Sequence, residues 1–219
     1  GAWIAAEKIL EPAEDVPADW PVAGTTGYDA AWRIGQVFHD PAGAAPLSGI
    51  MHQLTGDDPM GLASLLESSK RQVVAESLHA EVNRLAELVA QVCSDDIRLR
   101  DHTWRAIRDC VTELVIAVHG YRAYVVPGEV APGPSVAQVA EAAALAASRL
   151  PAERGETLAV VMDLVLGRET GSAGRTHEKR RDEIIVRFQQ VCGAVTAKGV
   201  EDTAFYRWTH LVSLCEVGG

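Results

Sequence analysis

The chain has 219 residues, is 47% hydrophobic, and carries 20 basic against 30 acidic residues for a formal net charge of −10. That length is enough for one large or two small domains with a core. The acidic balance, with a pI near 5.1, argues against a general binder of nucleic acid or of a membrane surface, since both need clustered positive charge. No apolar run reaches the roughly 18 residues that cross a bilayer, and no basic stretch followed by an apolar one opens the chain, so a cytoplasmic protein is expected.

Ala2 to Ala6 is a short apolar run that ends at Glu7, which suits a strand buried on both faces of a parallel sheet whose other strands lie elsewhere in a longer protein. The absence of an initiator Met and the Gly218-Gly219 end read as an excised piece. From Glu11 to about Pro59 the chain is rich in Pro, Gly, Asp and Thr and is loop-dominated, with at most two short helices, one of them around Tyr28 to Phe38. Helical periodicity then takes over. Apolar residues from Leu62 to Val89 recur every three or four positions, predicting a long amphipathic helix with a break near Ser68-Ser69. A second helix carries Trp104, Ile107, Val111, Leu114 and Val118 and stops at Gly120. Ser135 is the expected N-cap of a helix through Leu150. Another helix spans about Ala152 to Leu166, followed by a flexible loop from Gly167 to Gly174. Thr176 is expected to cap a helix with Glu178 near its positive end, Ile184, Ile185, Phe188 and Val191 on its apolar face, and Gly193 as its close. After a turn through Thr196 to Gly199, Val200 to about Leu211 reads as a last helix. The architecture is a mainly α body with a strand and a loop-rich region at its start.

Four cysteines (Cys93, Cys110, Cys192, Cys215) lie far apart without a C-x-x-C pair, so neither zinc nor a disulfide framework is expected, and they read as reduced core residues. The seven histidines have no ligand spacing and read as surface or hydrogen-bonded structural groups. No metal and no cofactor is called for. Glu7 is the first candidate for chemistry, because barrel enzymes place catalytic groups at the C-terminal ends of buried parallel strands, where apolar surroundings keep a carboxyl protonated for acid work. The plain alternative is a strand-end Glu paired with Lys8 or an Arg. Trp20 to Asp29 joins two glycines, two hydroxyls, two aromatics and an acid within ten residues. Trp20 and Tyr28 can stack on sugar faces while Thr25 and Asp29 bond hydroxyls, although a structural loop has the same composition. The phosphate-loop pattern is not met, because no Gly-Lys-Ser/Thr follows. The richest constellation is Ala197 to Arg207, where Lys198, Glu201, Asp202 and Arg207 interleave with Phe205 and Tyr206. Helical spacing puts Asp202 and Tyr206 on one face, with Lys198 able to reach the same side. Tyr121-Arg122-x-Tyr124 is a smaller cluster of that type.

These strings also carry a family resemblance. Ala6-Glu7-Lys8-Ile9-Leu10, Trp20 to Asp29, Tyr121-Arg122-x-Tyr124, Gln189-Gln190-Val191-x-Gly193 leading into Ala197 to Arg207, and Leu211-Val212-Ser213-Leu214-x-Glu216-Val217-Gly218-Gly219 resemble the maltooligosyltrehalose synthases of the α-amylase superfamily, in the family's order. The resemblance implies a (β/α)8 barrel enzyme that converts the reducing-end α-1,4 bond of a maltooligosaccharide into an α,α-1,1 bond by intramolecular transglycosylation, with retention and no cofactor. It implies that Glu7 is the acid/base and that the partner of this chain is the remainder of the barrel; with a closed pocket needed for the transfer, Trp20, Thr25, Tyr28, Asp29, Lys198, Glu201, Asp202, Phe205, Tyr206 and Arg207 are expected to line the reducing-end sugar sites. The family's nucleophile motif, Gly-x-Arg-x-Asp, and its Thr-His-Asp-Thr-Lys-Arg motif do not occur in this chain. Cys215 stands where the family usually has Asn, and a thiol cannot supply the amide's paired donor and acceptor. The implied organisation is a barrel-strand end and active-site loops over 1–59, a helical insertion over 60–175, and helices returning to the barrel over 176–219. Two other readings stay open: a stand-alone helical interaction module, and another amylase-type glucanotransferase.

Overall fold

The computed structural model describes residues 2–10, 14–58, 61–172, 179–208 and 210. Two strands, β1 (Ala5–Ala6) and β2 (Gly24–Thr25), pair in parallel, and helices follow: α1 (Tyr28–Gln36), α2 (Ala44–Thr55), α3 (Leu62–Glu76), α4 (His79–Asp95), α5 (Trp104–Ala117), α6 (Gly133–Arg149), α7 (Gly155–Val165) and α8 (Lys179–Thr196). A π-helical segment, Ala197–Ala204, continues α8 and ends in a single α-turn at Phe205–Arg207. The mainly α architecture expected from periodicity is what the described residues show.

The chain divides into two compact units, one of residues 1–69 with 200–219 and the other of residues 70–199. The second unit holds nearly all of the hydrophobic core. Its central helix is α5, which packs against α4, α6, α7 and α8 and buries Ala106, Ile107, Cys110, Val111, Leu114, Val115, Ile116 and Ala117. Thr103 starts α5, its hydroxyl accepting from the Ala106 amide at 3.2 Å, one of the orphan donors of a first helical turn. The first unit has a different texture. Neither α1 nor α2 contains a buried residue, and Ile34, Val37, Phe38, Leu47, Ile50 and Leu54 are exposed.

Several boundaries differ from those the sequence predicts. The long amphipathic helix breaks at Ser77-Leu78, where both amides donate to the Val73 carbonyl at 2.9 Å, and it does not break at Ser68-Ser69. The Ser68 hydroxyl bonds back to the Leu65 carbonyl at 3.0 Å, so that serine is accommodated inside α3. Ser135 is not a cap. It is buried in the first turn of α6, which begins at Gly133 because Pro134 fits an early helical position that needs no amide donor. Gly193 does not end α8. The single glycine costs about 1 kcal/mol relative to Ala, and the buried apolar side chains around it, including Ile184, Ile185, Phe188, Val191 and Val195, outweigh it. The turn expected at Thr196 to Gly199 is helical, and the helix expected to run to Leu211 stops at Arg207, after which Trp208 is extended. The part of the Gly167 to Gly174 loop that is described is held rather than free, since Ser172 donates from its amide and its hydroxyl to Asp96 at 2.6 and 2.9 Å. The expected cap at Thr176, Glu178, and the motif from Leu211 to Gly219 with Cys215 lie outside the described residues.

β1 finds its partner within this chain, contrary to the expectation that its neighbours lie elsewhere. It is also not buried on both faces: Ala5 and Ala6 are half-buried, and Trp3 and Ile4 are exposed. A two-residue strand with one short neighbour has little to cover it.

Candidate functional site

In the parallel pair, Ala5 lies opposite Gly24 and Ala6 opposite Thr25. The Ala23 amide donates to the Ile4 carbonyl at 2.7 Å and the Thr26 amide to the Ala6 carbonyl at 3.0 Å. Because the strands run the same way, Glu7 and the residues after Thr25 leave the pair at the same, C-terminal edge. In open and closed parallel sheets that edge is where catalytic and binding groups collect. The ladder thereby brings side by side two strings whose paired residues are nineteen apart in sequence.

Glu7 is exposed. Its neighbour Lys8 is buried and pairs with Glu14, so the pairing of Glu7 with Lys8 is not what the structure shows. On the β2 side the Thr25 hydroxyl accepts from the Gly27 amide at 3.1 Å and donates to the Asp29 carboxylate. That link ties the turn to the first helical residues of α1, where a carboxylate also meets the positive end of the helix dipole. Thr25 and Asp29 line a cavity of about 290 Å³ together with Glu14, Asp15, Trp32 and Arg33. Trp32 and Arg33 are absent from the candidates drawn from the sequence, although their three- and four-residue spacing from Asp29 along α1 signals a shared face. The Arg33 guanidinium lies 5.6 Å from the Trp32 ring centroid, within the range of a cation–π contact. Trp20 and Tyr28 are half-buried beside this turn and are not among the residues lining the cavity. An aromatic plate ringed by carboxylates, a hydroxyl and a guanidinium is a combination that binds polyhydroxylated ligands, the ring covering an apolar sugar face and the polar groups taking hydroxyls.

The second group of candidates sits on the π segment and the turn after it. Lys198, Asp202, Tyr206 and Arg207 are exposed, Tyr206 to 86%, while Glu201 and Phe205 are half-buried. In an i→i+5 ladder the side chains that stack are four and five apart, so Lys198 shares a face with Asp202 and Thr203. Such wide turns are rare and gather at functional sites. Lys198 belongs to the second compact unit and Glu201 to Arg207 to the first.

Histidines follow the structural expectation in part. The Nδ1 of His102 is 2.9 Å from the Thr157 hydroxyl, and those of His39 and His52 meet the Gly35 and Asp57 carbonyls at 2.9 and 2.6 Å. His210 departs from it: it is 2% exposed, its ring centroid lies 4.7 Å from that of Trp208, and neither ring nitrogen has a hydrogen-bond partner among the described residues. Among the described residues there is no cluster of three or more His, Cys, Asp or Glu able to hold a metal, and no helix long and apolar enough to cross a membrane. Cys93, Cys110 and Cys192 are free and buried, as their core reading requires. Burial pushes the thiols of Cys93 and Cys110 up to about 11 and that of Cys192 to about 12, from an ordinary 9.0. The fold therefore favours the neutral thiol. Its stabilisation is complete below about pH 9, where the unfolded thiols titrate, and is lost as pH rises through the folded values. Urea midpoints measured from pH 7 to 11 are expected to fall above about pH 9, less steeply in Cys192→Ala; an equal slope in the two proteins would refute the assignment.

No family model matches the chain. Proteins of two Mycobacterium tuberculosis strains, provisionally named maltooligosyl trehalose synthases, are 34% identical to it over 218 residues, which is all of this chain and 25% of theirs. A mutant of the maltooligosyltrehalose synthase from Arthrobacter ramosus aligns with a TM-score of 0.76 and 35% identity, covering 99% of this chain and 24% of the solved one. A glycosyltrehalose synthase aligns with a TM-score of 0.63 over 99% of this chain and 23% of its own; at 22% identity it speaks for the fold alone. From end to end, in sequence and in fold, the chain is similar to a segment of maltooligosyltrehalose synthases, and it spans about a quarter of the length of these relatives.

Proposed function

We propose that this chain is part of an intramolecular transglycosylase of trehalose biosynthesis, one that turns the reducing-end α-1,4 linkage of a maltooligosaccharide into an α,α-1,1 linkage. The observation that carries the reading is the shared edge of β1 and β2, which sets the Glu7 motif beside the Thr25 to Asp29 turn and its sugar-suited cavity, in a chain similar throughout to maltooligosyltrehalose synthases. In this reading β1 is a strand of an α-amylase-type barrel and the helical body is an insertion after it. Glu7 is the acid/base and protonates the leaving oxygen; a nucleophile carried by the rest of the barrel stands roughly 5 Å away on the other face of the sugar. The freed glucose must turn over and attack through its anomeric hydroxyl before water does, so the pocket needs walls. The Trp20 to Asp29 turn and the Lys198 to Arg207 segment supply them at the reducing-end sites. Neither a cofactor nor a metal takes part, and the reaction belongs in the cytoplasm.

The test is incubation of the full-length protein with maltopentaose. Loss of reducing ends without chain shortening is the expected result. Shortened or redistributed chains would point to an amylase or a glucanotransferase, and no conversion would point to an interaction module. Tyr28→Ala and Tyr206→Ala are expected to raise the glucose released per transglycosylation several-fold, read by chromatography of the products. Unchanged product ratios would remove these two residues from the pocket wall.

A further inference from the structure

The second compact unit holds a cavity of about 440 Å³ that has no part in the reading above, and all the residues lining it belong to that unit. Its size falls in the range of about 300–1,000 Å³ usual for small-molecule pockets. The floor is apolar: Leu164, Leu166 and Ile185 are buried core residues, with Val136 partly buried beside them. Gly167, just after α7, takes φ 67, and a Cβ there would lie 3.1 Å from the Ile185 Cδ1. Glycine thus lets the backbone wall of the cavity close on α8.

The polar lining has open valences. Arg181 is 5% exposed; its Nη2 donates to the Thr170 carbonyl at 3.2 Å and lies 4.0 Å from Asp96, while its Nε is buried without a hydrogen-bond partner among the described residues. A buried donor left open is costly, so an acceptor that enters the cavity gains a bond the protein does not make itself. Asp182 is half-buried in the first turn of α8, and Glu129 and Glu169 are exposed at the rim. Both guanidiniums of the lining, Arg181 and Arg168, have carboxylates near them from outside it, Asp96 at 4.0 Å and Asp163 at 3.5 Å. The three carboxylates of the lining therefore set its charge, and they repel phosphates and other anions. What fits is a neutral group that both donates and accepts, carried on an apolar frame. Hydroxyls have that double capacity, and a sugar ring supplies the frame.

We propose that this cavity is a second, non-catalytic site for a neutral polyhydroxylated ligand, a maltooligosaccharide. Arg181 Nε donates to a sugar oxygen, Asp182 and Glu169 accept from hydroxyls, and Leu164, Leu166 and Ile185 cover an apolar ring face. The polyhydroxylated class rests on the lining; the choice of a maltooligosaccharide rests on the transglycosylase reading.

The test is amide hydrogen exchange on the full-length protein with and without maltopentaitol, whose reduced end cannot undergo the transfer, so that binding is read without that turnover. Exchange over residues 128–136 and 164–170 is expected to slow at least twofold when maltopentaitol is added. Val136→Trp, which fills the cavity with an indole, is expected to abolish the slowing. Asp182→Ala, which removes an acceptor, is expected to do the same and stands in if Val136→Trp does not fold. Glucose 6-phosphate, an anion, and leucine, a zwitterion with an apolar side chain, are expected to slow nothing there. No slowing with maltopentaitol overturns the proposal, since the cavity then takes up no sugar. Slowing that survives the substitutions overturns its location, and slowing by glucose 6-phosphate or leucine overturns its ligand class. If maltopentaose yields no trehalose-ended product, the transglycosylase reading falls, and the exchange result still judges the cavity as a polyol site.

Discussion

Replacing Glu7 by Gln in the full-length protein is expected to abolish turnover of maltopentaose, by a factor of about 10²–10⁴ or more, while leaving substrate binding within a few-fold of wild type. Gln keeps the shape and the hydrogen-bonding reach of the side chain but has no proton to give the leaving oxygen, so the loss falls on kcat. A substrate whose leaving group departs without protonation bypasses the first step. With maltosyl fluoride the variant is expected to form the glycosyl-enzyme at close to the wild-type rate and then stall, because the same residue must act as base in the second step. If the activated substrate fared no better than maltopentaose, Glu7 would not be the acid. The exposure of Glu7 in this chain bears on the same chemistry. The edge of a two-strand pair leaves Glu7 open to solvent, and neither the Gly-x-Arg-x-Asp nor the Thr-His-Asp-Thr-Lys-Arg string occurs in this chain. The 219-residue chain by itself is therefore expected to be inactive, with Glu7→Gln as the control against contaminating amylase; conversion at a thousandth of the parent rate, lost in that control, would contradict the roles assigned here.

What could be read from the sequence depends on how each feature is encoded. α5 and α7 are written in the spacing of apolar residues, and the structure places them within a few residues of where that spacing ends. The buried face of α8 is equally plain, from Ile184 to Val195. Its continuation is not legible, because an i→i+5 ladder has no residue pattern of its own; a charged, aromatic-rich string after a glycine reads as turn then helix, whereas α8 runs on through Ala197–Ala204. β2 was invisible for a similar reason. Gly24-Thr25 has no alternation and no branched run, and its strand geometry exists only because β1 lies beside it. Among the site candidates, Thr25 and Asp29 line the cavity together, while Trp32 and Arg33, which complete it, stand inside a helix rather than in the motif before it. Lys70 donates to the Val118 carbonyl and Gln189 to the Val125 carbonyl, bonds across long sequence distances that no local pattern records.

Asp96→Ala is expected to cost the second compact unit about 3–5 kcal/mol, the usual loss when one member of a buried ionic group is removed. The carboxylate is 2% exposed. It accepts from the Arg98 amide at 2.9 Å and from the Ser172 amide and hydroxyl at 2.6 and 2.9 Å, and it lies 4.0 Å from the Arg181 guanidinium, whose side chain is itself 7% exposed. The site is built around it, for a Cβ on Gly171 would fall 2.4 Å from an Asp96 oxygen. Removing the carboxylate strands three donors and leaves Arg181 buried with its bond to the Thr170 carbonyl, a desolvated charge without its counter-ion. Against a typical domain stability of about 5–15 kcal/mol, the loss is large enough to move a urea midpoint well outside experimental scatter, followed by helical circular dichroism. The arginine accounts for much of it. Asp96→Ala combined with Arg181→Met removes the orphaned charge and is expected to recover at least 1 kcal/mol relative to Asp96→Ala alone, a coupling that a double-mutant cycle measures directly. A single-variant loss below 1 kcal/mol would mean that water reaches the carboxylate, and additive single losses would mean that Asp96 and Arg181 act separately.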